Sequence, residues 1–286
     1  MAKTQLQKSY ITRIDALNDQ LWYFLFTSEE LNKQLSNYSD KAKEAFTTDL
    51  FKNNPFSKRI HIKAINLTSH QDMNKKLTFG SYFSTCYEIA SNYIKDIFDR
   101  LKSINNLSAY AWDNRKEPEK NLKALFSKNG LTLPQTYIFD TFTYLRLRRN
   151  HFTHIITSPN NKLTSFTTST GPRLNAKWKT TGVVKAIDFT TLVNTTEFTQ
   201  DETIDLIKLL RISLIELDEY VASILDTNEV IKRLVQDEYG DKAAKINPVM
   251  KADRSKRIIY KAKNLLGLTI NAAQTMPYIT TIGIKL

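Results

Sequence analysis

Apolar side chains recur every three or four residues over long stretches of this chain, and that spacing is the strongest constraint on its fold. Residues 81–104 show it best, because apolar positions at both i+3 and i+4 steps form a wide stripe. Similar stripes run through residues 5–26, 200–225 and 249–266. Only 7 glycines and 7 prolines interrupt the 286 residues, few for a protein built from strands and turns. The sequence therefore predicts a mainly α protein with a central helix over residues 81–104.

Local signals divide the rest of the chain into regions. Thr199 and Glu202 have the spacing of a capping box at the start of a long helix. Residues 157–199 are rich in Thr, Ser and Asn and predict a small β-hairpin or extended insertion around Gly171-Pro172. Residues 59–65 alternate like a short strand. We therefore expect three regions: an N-terminal helical region (1–79), a helical bundle (80–226, with the insertion at about 157–199) and a basic C-terminal extension packed on the bundle (227–286).

The chain is strongly basic, with a formal net charge of +12. Residues 241–286 alone hold nine Lys or Arg against two Asp, in a helix over residues 249–266 and an apolar tail expected to be a closing strand or an interaction segment. Such a charge favours polyanions, of which nucleic acid is the commonest partner. The single cysteine, Cys86, lies in an apolar stripe and is expected to pack rather than react. Without an apolar leader or a run of 18 apolar residues, we expect a soluble, cytoplasmic protein that contacts no membrane.

Residues 145–154 carry three arginines and two of the four histidines of the chain. If the stretch lies in one helix at 100° per residue, Arg149 falls on the apolar face. Asn150 and His154 are four residues apart and share the adjoining flank, whereas His151 falls on the opposite side and Arg148 also faces away from the core. An arginine on an apolar face needs a partner, because an isolated buried charge is very costly. The geometry predicts that Arg149, Asn150 and His154 border one pocket.

This set of side chains suits cleavage of a phosphodiester without a metal. Arginine offers a planar fork of donors that matches a phosphate and the charge of its transition state. Histidine titrates near neutrality and can transfer a proton. RNA supplies its own nucleophile, the 2′-hydroxyl. Glu88 and Asp96 lie on the flanks of the helix over residues 81–104. A carboxylate there can orient the arginine, although such a position is more often a solvated face. Since no His, Asp and Glu stand at metal-ligand spacing in the sequence, we expect neither a metal nor another cofactor.

The stretch from Arg149 to His154 resembles the motif of the HEPN superfamily. That motif is an arginine, a polar residue, three further residues and a histidine near the end of a bundle helix. The resemblance covers residues 81–226 loosely and residues 149–154 closely. It implies a HEPN-like helical bundle, commonly a homodimer with one composite site, and metal-independent endoribonuclease activity. It also implies a role in bacterial antiviral defence, abortive infection or a toxin–antitoxin system, with an inhibitory or activating partner protein. On this chain it implies catalytic roles for Arg149, Asn150 and His154.

Two other pairings, Arg148 with His154 and Arg146 with His151, have comparable spacing and leave the choice of arginine open. Further positive charges in the motif helix, the insertion and the C-terminal extension are candidates for RNA contacts. They are Arg146, Arg148, Lys177, Lys179, Arg254, Lys256 and Arg257.

Two functions of other classes fit the same sequence. The protein can be a non-catalytic nucleic-acid-binding helical protein that uses its basic C-terminal region, with Arg149 as a buried structural arginine. It can also be a docking or sensor subunit of a defence complex, whose helical surface binds a partner protein. RNA cleavage, salt-dependent binding without cleavage, and co-elution with a partner protein distinguish the three.

Overall fold

The computed structural model describes residues 3–153, 161–191, 197–240 and 248–281, and within them the chain forms helices and no β-strand. The mainly α prediction is therefore confirmed. The α-helices are α1 (Gln5–Ser36), α2 (Asp40–Lys43), α3 (Thr47–Leu50), α4 (Ser57–Ile60), α5 (Leu67–Ile104), α6 (Pro118–Lys128), α7 (Thr136–Thr153), α8 (Asn161–Trp178), α9 (Gln200–Ser223), α10 (Thr227–Tyr239), α11 (Pro248–Leu266) and α12 (Ala272–Thr281). A 3-10 turn, Ala64–Asn66, precedes α5.

The two longest helices, α1 and α5, lie antiparallel against each other. Tyr10 near the start of α1 packs edge-on against Tyr93, with ring centroids 5.3 Å apart, and donates a 2.6 Å hydrogen bond to Asp96. Near the other end of α1, Phe24 packs against Phe79. Burial raises the pKa of Tyr10 to about 12, with the Asp96 carboxylate acting in the same direction. This pair forms one side of the core.

Helices α7 and α9 complete the central layer by packing on α5 and on each other. The start of α9 follows the capping prediction, because the Thr199 hydroxyl accepts a 3.1 Å hydrogen bond from the backbone N–H of Glu202. Cys86 lies fully buried in α5, as predicted, and burial raises the pKa of its thiol to about 12. An uncharged, enclosed thiol is a packing group rather than a nucleophile.

The insertion after α7 differs from the prediction. The hairpin expected around Gly171-Pro172 is wrong, because this dipeptide lies inside helix α8, which packs along α7. Gly171 allows the segment that follows α8 to pack closely against that helix, since a Cβ at this position would overlap the carbonyl group of Phe189. Trp178 ends the helix and donates a 2.9 Å hydrogen bond from Nε1 to Thr141 Oγ1 of α7. The insertion is thus a further layer of the bundle.

Three other predicted features differ from the structure, two on the N-terminal side and one on the C-terminal side. The strand expected over residues 59–65 is wrong, because α4 and the 3-10 turn occupy it, with a single bridge between Phe46 and Lys63. Helix α5 begins at Leu67, so the boundary expected between residues 79 and 80 falls inside a helix. In place of a closing strand after α11, the described residues form α12, which packs on α10 and α11. Across the described ranges, no helix combines the length and the apolar character needed to cross a bilayer.

Candidate functional site

The three arginines of α7 point into three different environments. Arg148 is 4% exposed and His151 is fully buried, whereas the side chain of Arg149 keeps 26% of its surface exposed. The prediction that Arg149 faces the core while Arg148 and His151 face away from it is therefore wrong. The reason is that α7 packs on α8 as well as on α5 and α9, so its buried surface is not confined to a single face.

Arg148 lies at the junction of α7, α8 and the start of α9. Its guanidinium is paired with the Glu202 carboxylate and stacks over the Phe198 ring, 4.8 Å from the centroid. The pair borders a cavity of about 110 Å³ that Tyr144 and Asp188 also line. Burial raises the pKa of Tyr144 to about 12. Arg148 thus connects α7 to the start of α9 in the interior.

Arg146 connects α7 to α6. Its Nε donates a 2.7 Å hydrogen bond to Glu119, and Glu117 lies 3.6 Å from its Nη1. Burial lowers the pKa of Arg146, but the Glu119 carboxylate outweighs it and raises the pKa above its ordinary value. With 11% of the Arg146 side chain exposed and Glu119 only 2% exposed, this is a second internal pair.

Arg149 stands at the surface near the end of α7. Its Nη1 donates a 3.1 Å hydrogen bond to the Asn150 side-chain oxygen, and its Nη2 is paired with Glu88 of α5. The buried Nε–H of Arg149 has no hydrogen-bond partner among the described residues. Because Glu88 is itself 52% exposed, solvent screens this pair and a competing anion can replace it. The structure therefore brings together Arg149 and Asn150, as predicted, with Glu88 beside them.

The end of α7 is held on α5 by close packing. Phe152 lies directly over Gly80, where any Cβ would overlap its ring, and it meets Phe198 edge-on with centroids 5.5 Å apart. The Thr153 hydroxyl donates to the carbonyl oxygen of Arg149 at 3.2 Å. This packing fixes the position of Arg149 relative to Glu88. His154, the predicted catalytic histidine, lies outside the described residues.

The remaining candidate RNA contacts are spread over two separate places. Lys177 lies over the Tyr137 ring at 4.2 Å, and Lys179 donates a 2.8 Å hydrogen bond to Asp188. That bond is the main reason why the pKa of the Asp188 carboxyl lies well below its usual range, with further hydrogen bonds from Thr190 and Asn175.

The second place is α11. Arg254 stacks over Tyr239 at 4.3 Å, and Arg257 is paired with Glu238 at 2.9 Å. Lys256 keeps 81% of its side chain exposed. The seven residues named from the sequence thus form no single patch.

Of the two acids that the sequence placed on the flanks of α5, Glu88 pairs with Arg149, whereas Asp96 accepts a hydrogen bond from Tyr10. The acids that hold the other two arginines, Glu202 and Glu119, were not predicted as their partners. Each stands in the first turn of its helix, where acids are favoured, and that position was the available signal. The described residues hold no cluster of three or more His, Cys, Asp or Glu side chains placed to share a metal ion.

Comparison of the chain with protein-family models, with curated proteins and with solved structures gives no match.

Proposed function

We propose that this protein is a metal-independent endoribonuclease of the HEPN type, acting as a homodimer in bacterial antiviral defence or a toxin–antitoxin system. Arg149 binds and stabilises the scissile phosphate, His154 transfers the proton, and Asn150 orients Arg149. An inhibitory or activating partner protein fits such an activity, since an unrestrained ribonuclease harms its own cell. The helical bundle and the resemblance at residues 149–154 support this proposal.

The environment of Arg149 carries the proposal. Of the three arginines in the stretch, Arg146 and Arg148 are enclosed with carboxylates in the interior, whereas Arg149 reaches the surface. Its Nε–H lacks a hydrogen-bond partner within the described part of the chain, and its exposed partner Glu88 can give way to a phosphate. A planar guanidinium then offers parallel donors to two phosphate oxygens. The choice between arginines that the sequence left open therefore favours Arg149.

The proposed reaction needs only groups of the RNA and of the protein. His154 removes the proton of the 2′-hydroxyl, and the 2′-oxygen attacks the adjacent phosphorus atom. The bond from phosphorus to the 5′-oxygen breaks, a proton returns to that oxygen, and a 2′,3′-cyclic phosphate remains. Negative charge gathers on the non-bridging oxygens during attack, and Arg149 stabilises it there. Asn150 holds the guanidinium in place through its 3.1 Å hydrogen bond.

The homodimer is supported by the surface around Arg149. At 100° per residue, Leu77, Ser81 and Glu88 share one side of α5, and Leu77 is 56% exposed. Met73, one turn before Leu77, is 60% exposed. At 1.5 Å per residue, Leu77 lies about 16 Å along α5 from Glu88, and exposed apolar side chains on this side of the helix can contribute to an interface. A dimer across this side of α5 places two copies of the Arg149 site next to each other.

The direct test is cleavage of total cellular RNA by the full chain, with and without EDTA. We expect cleavage that EDTA does not abolish and that the His154→Ala substitution removes. His70→Ala is the matched control, because His70 is an exposed histidine at the start of α5. Cleavage by His154→Ala at the wild-type rate would contradict the assignment of His154. A wild type that cleaves RNA only when metal is added would contradict the metal-independent mechanism.

A second function is favoured by one face of α11. Lys256, Tyr260 and Lys263 are spaced at four and three residues, all are exposed, and Tyr260 exposes 69% of its surface. Two ammonium groups around an exposed aromatic ring suit single-stranded nucleic acid, whose bases stack while its phosphates pair. A non-catalytic binding protein would bind RNA with a steep salt dependence, lose affinity in Lys256→Ala/Lys263→Ala, and cleave nothing.

A further inference from the structure

A cavity at the start of α1 lies apart from the Arg149 site. It has a volume of about 170 Å³ and is lined by Lys3, Gln7, Lys8, Ile11, Thr12 and Ile215. The first five belong to the chain entering α1 and its first two turns, and Ile215 belongs to α9. The start of α1 lies near the part of α5 that holds Tyr93 and Asp96, because Tyr10 contacts both of these residues. The Arg149 site lies at Glu88, earlier in the same helix.

Gln7 is the unusual member of this cavity. The residue is 1% exposed, and among the described residues neither its Oε1 nor its Nε2 atom has a hydrogen-bond partner. Its side chain does not cap the helix, because the Thr4 hydroxyl does so by accepting a 3.0 Å bond from the Gln7 backbone N–H. A buried amide without partners is unfavourable, and such groups in proteins are normally hydrogen-bonded to protein groups or to ordered water. The side-chain amide of Gln7 is therefore available to hydrogen-bond a ligand in the cavity.

The charge around the cavity is positive. Lys3 and Lys8 are exposed, and neither forms an ion pair within the part of the chain that the structure describes. None of the described lining residues is acidic. The 32-residue helix α1 adds the partial positive charge of its N-terminus, which favours anions. A ligand with negative charge and several acceptor oxygens therefore fits this cavity best.

The cavity is also held in shape from the interior side. The Thr4 hydroxyl donates a 2.9 Å hydrogen bond to Asp218 of α9, and the Tyr93 hydroxyl donates to the same oxygen at 2.6 Å. Burial raises the pKa of Asp218, and the nearby Arg100 guanidinium acts against this shift. The start of α1 is thereby fastened to α5 and α9. A preformed cavity loses little conformational entropy when it binds.

We propose that this cavity is a binding site for a phosphate group. The ammonium groups of Lys3 and Lys8 and the Nε2–H of Gln7 donate to the phosphate oxygens, while Ile11 and Ile215 contact the rest of the molecule. The phosphate can belong to a free small molecule or to the end of an RNA strand. This site is independent of the proposed ribonuclease activity, because no residue is shared between the two.

The test measures binding by calorimetry with the full chain at constant ionic strength. The probes are sodium phosphate, adenosine 5′-monophosphate, and a 2′-O-methyl RNA pentamer with and without a 5′-phosphate, which the proposed ribonuclease cannot cleave. The variants are Lys3→Ala/Lys8→Ala and Gln7→Met, which keeps the length of the side chain without its amide. Lys52→Ala/Lys58→Ala is the control, since these lysines are also exposed and without an ion pair in the described ranges.

We expect saturable binding of at least one phosphate probe by the wild type. Each site variant should weaken it about tenfold or more, the loss expected for a hydrogen bond to a charged group, and the control should stay within twofold. Binding of inorganic phosphate or the mononucleotide identifies a free ligand, and binding only of the 5′-phosphorylated pentamer identifies an RNA end. No saturable binding by the wild type, or equal weakening in the control, overturns the proposal. So does wild-type affinity in Gln7→Met together with an unchanged unfolding midpoint.

Discussion

Arg148 and Arg149 are neighbours in sequence but belong to two different regions of the molecule. Arg148 lies between α7, α8 and α9, with its charge enclosed by Glu202 and the Phe198 ring. Arg149 lies at the surface beside Glu88, which is half exposed. The first pair is removed from water and so depends on both partners, whereas solvent screens the second. Arg148 is thus a structural arginine, whereas Arg149 is the one that we propose binds an external phosphate.

The largest difference is expected in stability. Arg148→Ala leaves the Glu202 charge enclosed without its partner and should lower the free energy of unfolding by about 3–5 kcal/mol. Arg149→Ala removes a solvent-screened pair and should change it by about 0–1 kcal/mol. Urea unfolding followed by circular dichroism measures both. Equal losses in the two variants would contradict the division between them.

The packing of Phe152 on Gly80, which holds the end of α7 on α5, can be disrupted by substituting the glycine. Gly80→Ala forces a methyl group into the Phe152 ring. This overlap should lower the free energy of unfolding by about 1–3 kcal/mol, which exceeds the roughly 0.8–1 kcal/mol that the higher helix propensity of alanine adds. The double variant Gly80→Ala/Phe152→Leu should recover part of the loss, because the smaller side chain makes room. If the effects of the two substitutions on the free energy of unfolding are additive in a double-mutant cycle, Gly80 and Phe152 are not energetically coupled, which would contradict the expected contact.

The acidic partners provide a matched comparison of one substitution at two places. Glu88→Gln should change the free energy of unfolding by less than about 1 kcal/mol, since the pair is exposed. Glu202→Gln should cost more, because it leaves the Arg148 charge in the interior without a counter-charge. Thermal unfolding at constant salt ranks the two. A larger loss for Glu88→Gln would reverse the assignment of interior and surface.

The smallest effect concerns Asp188, which lines the cavity beside Arg148. The pKa of its carboxyl is held well below the usual range, first of all by the hydrogen bond from Lys179. Its stabilisation is therefore present above the unfolded-state pKa of about 3.9 and is lost as pH falls below that value. The stability difference between wild type and Asp188→Asn should shrink from pH 7 to pH 3. A difference that stays constant over this range would contradict the low pKa.

Sequence patterns predicted the central helices because their buried faces are apolar. The stripe over residues 81–104 and the Thr199 cap both appear in the structure as expected. Helix α8 was missed because two of its five buried positions are Thr167 and Gly171, which carry no apolar signal. That omission also led to the wrong orientation of Arg148 and His151, since a helix covered on two sides has no single apolar face. The sequence predicted that Arg149 and Asn150 belong to one site. The pairing of Arg149 with Glu88 could not be predicted, because it depends on how α5 and α7 pack.

The most direct measurement of the central claim is the rate of RNA cleavage by Arg149→Ala beside Arg115→Ala. Arg115 is the matched control, because it is an arginine with 93% of its side chain exposed and an acidic neighbour, Asp113. With both variants shown to unfold like the wild type, we predict a loss of about 100-fold or more for Arg149→Ala and no change for Arg115→Ala. Cleavage by Arg149→Ala at the wild-type rate, or a wild type that cleaves no RNA, would contradict the account.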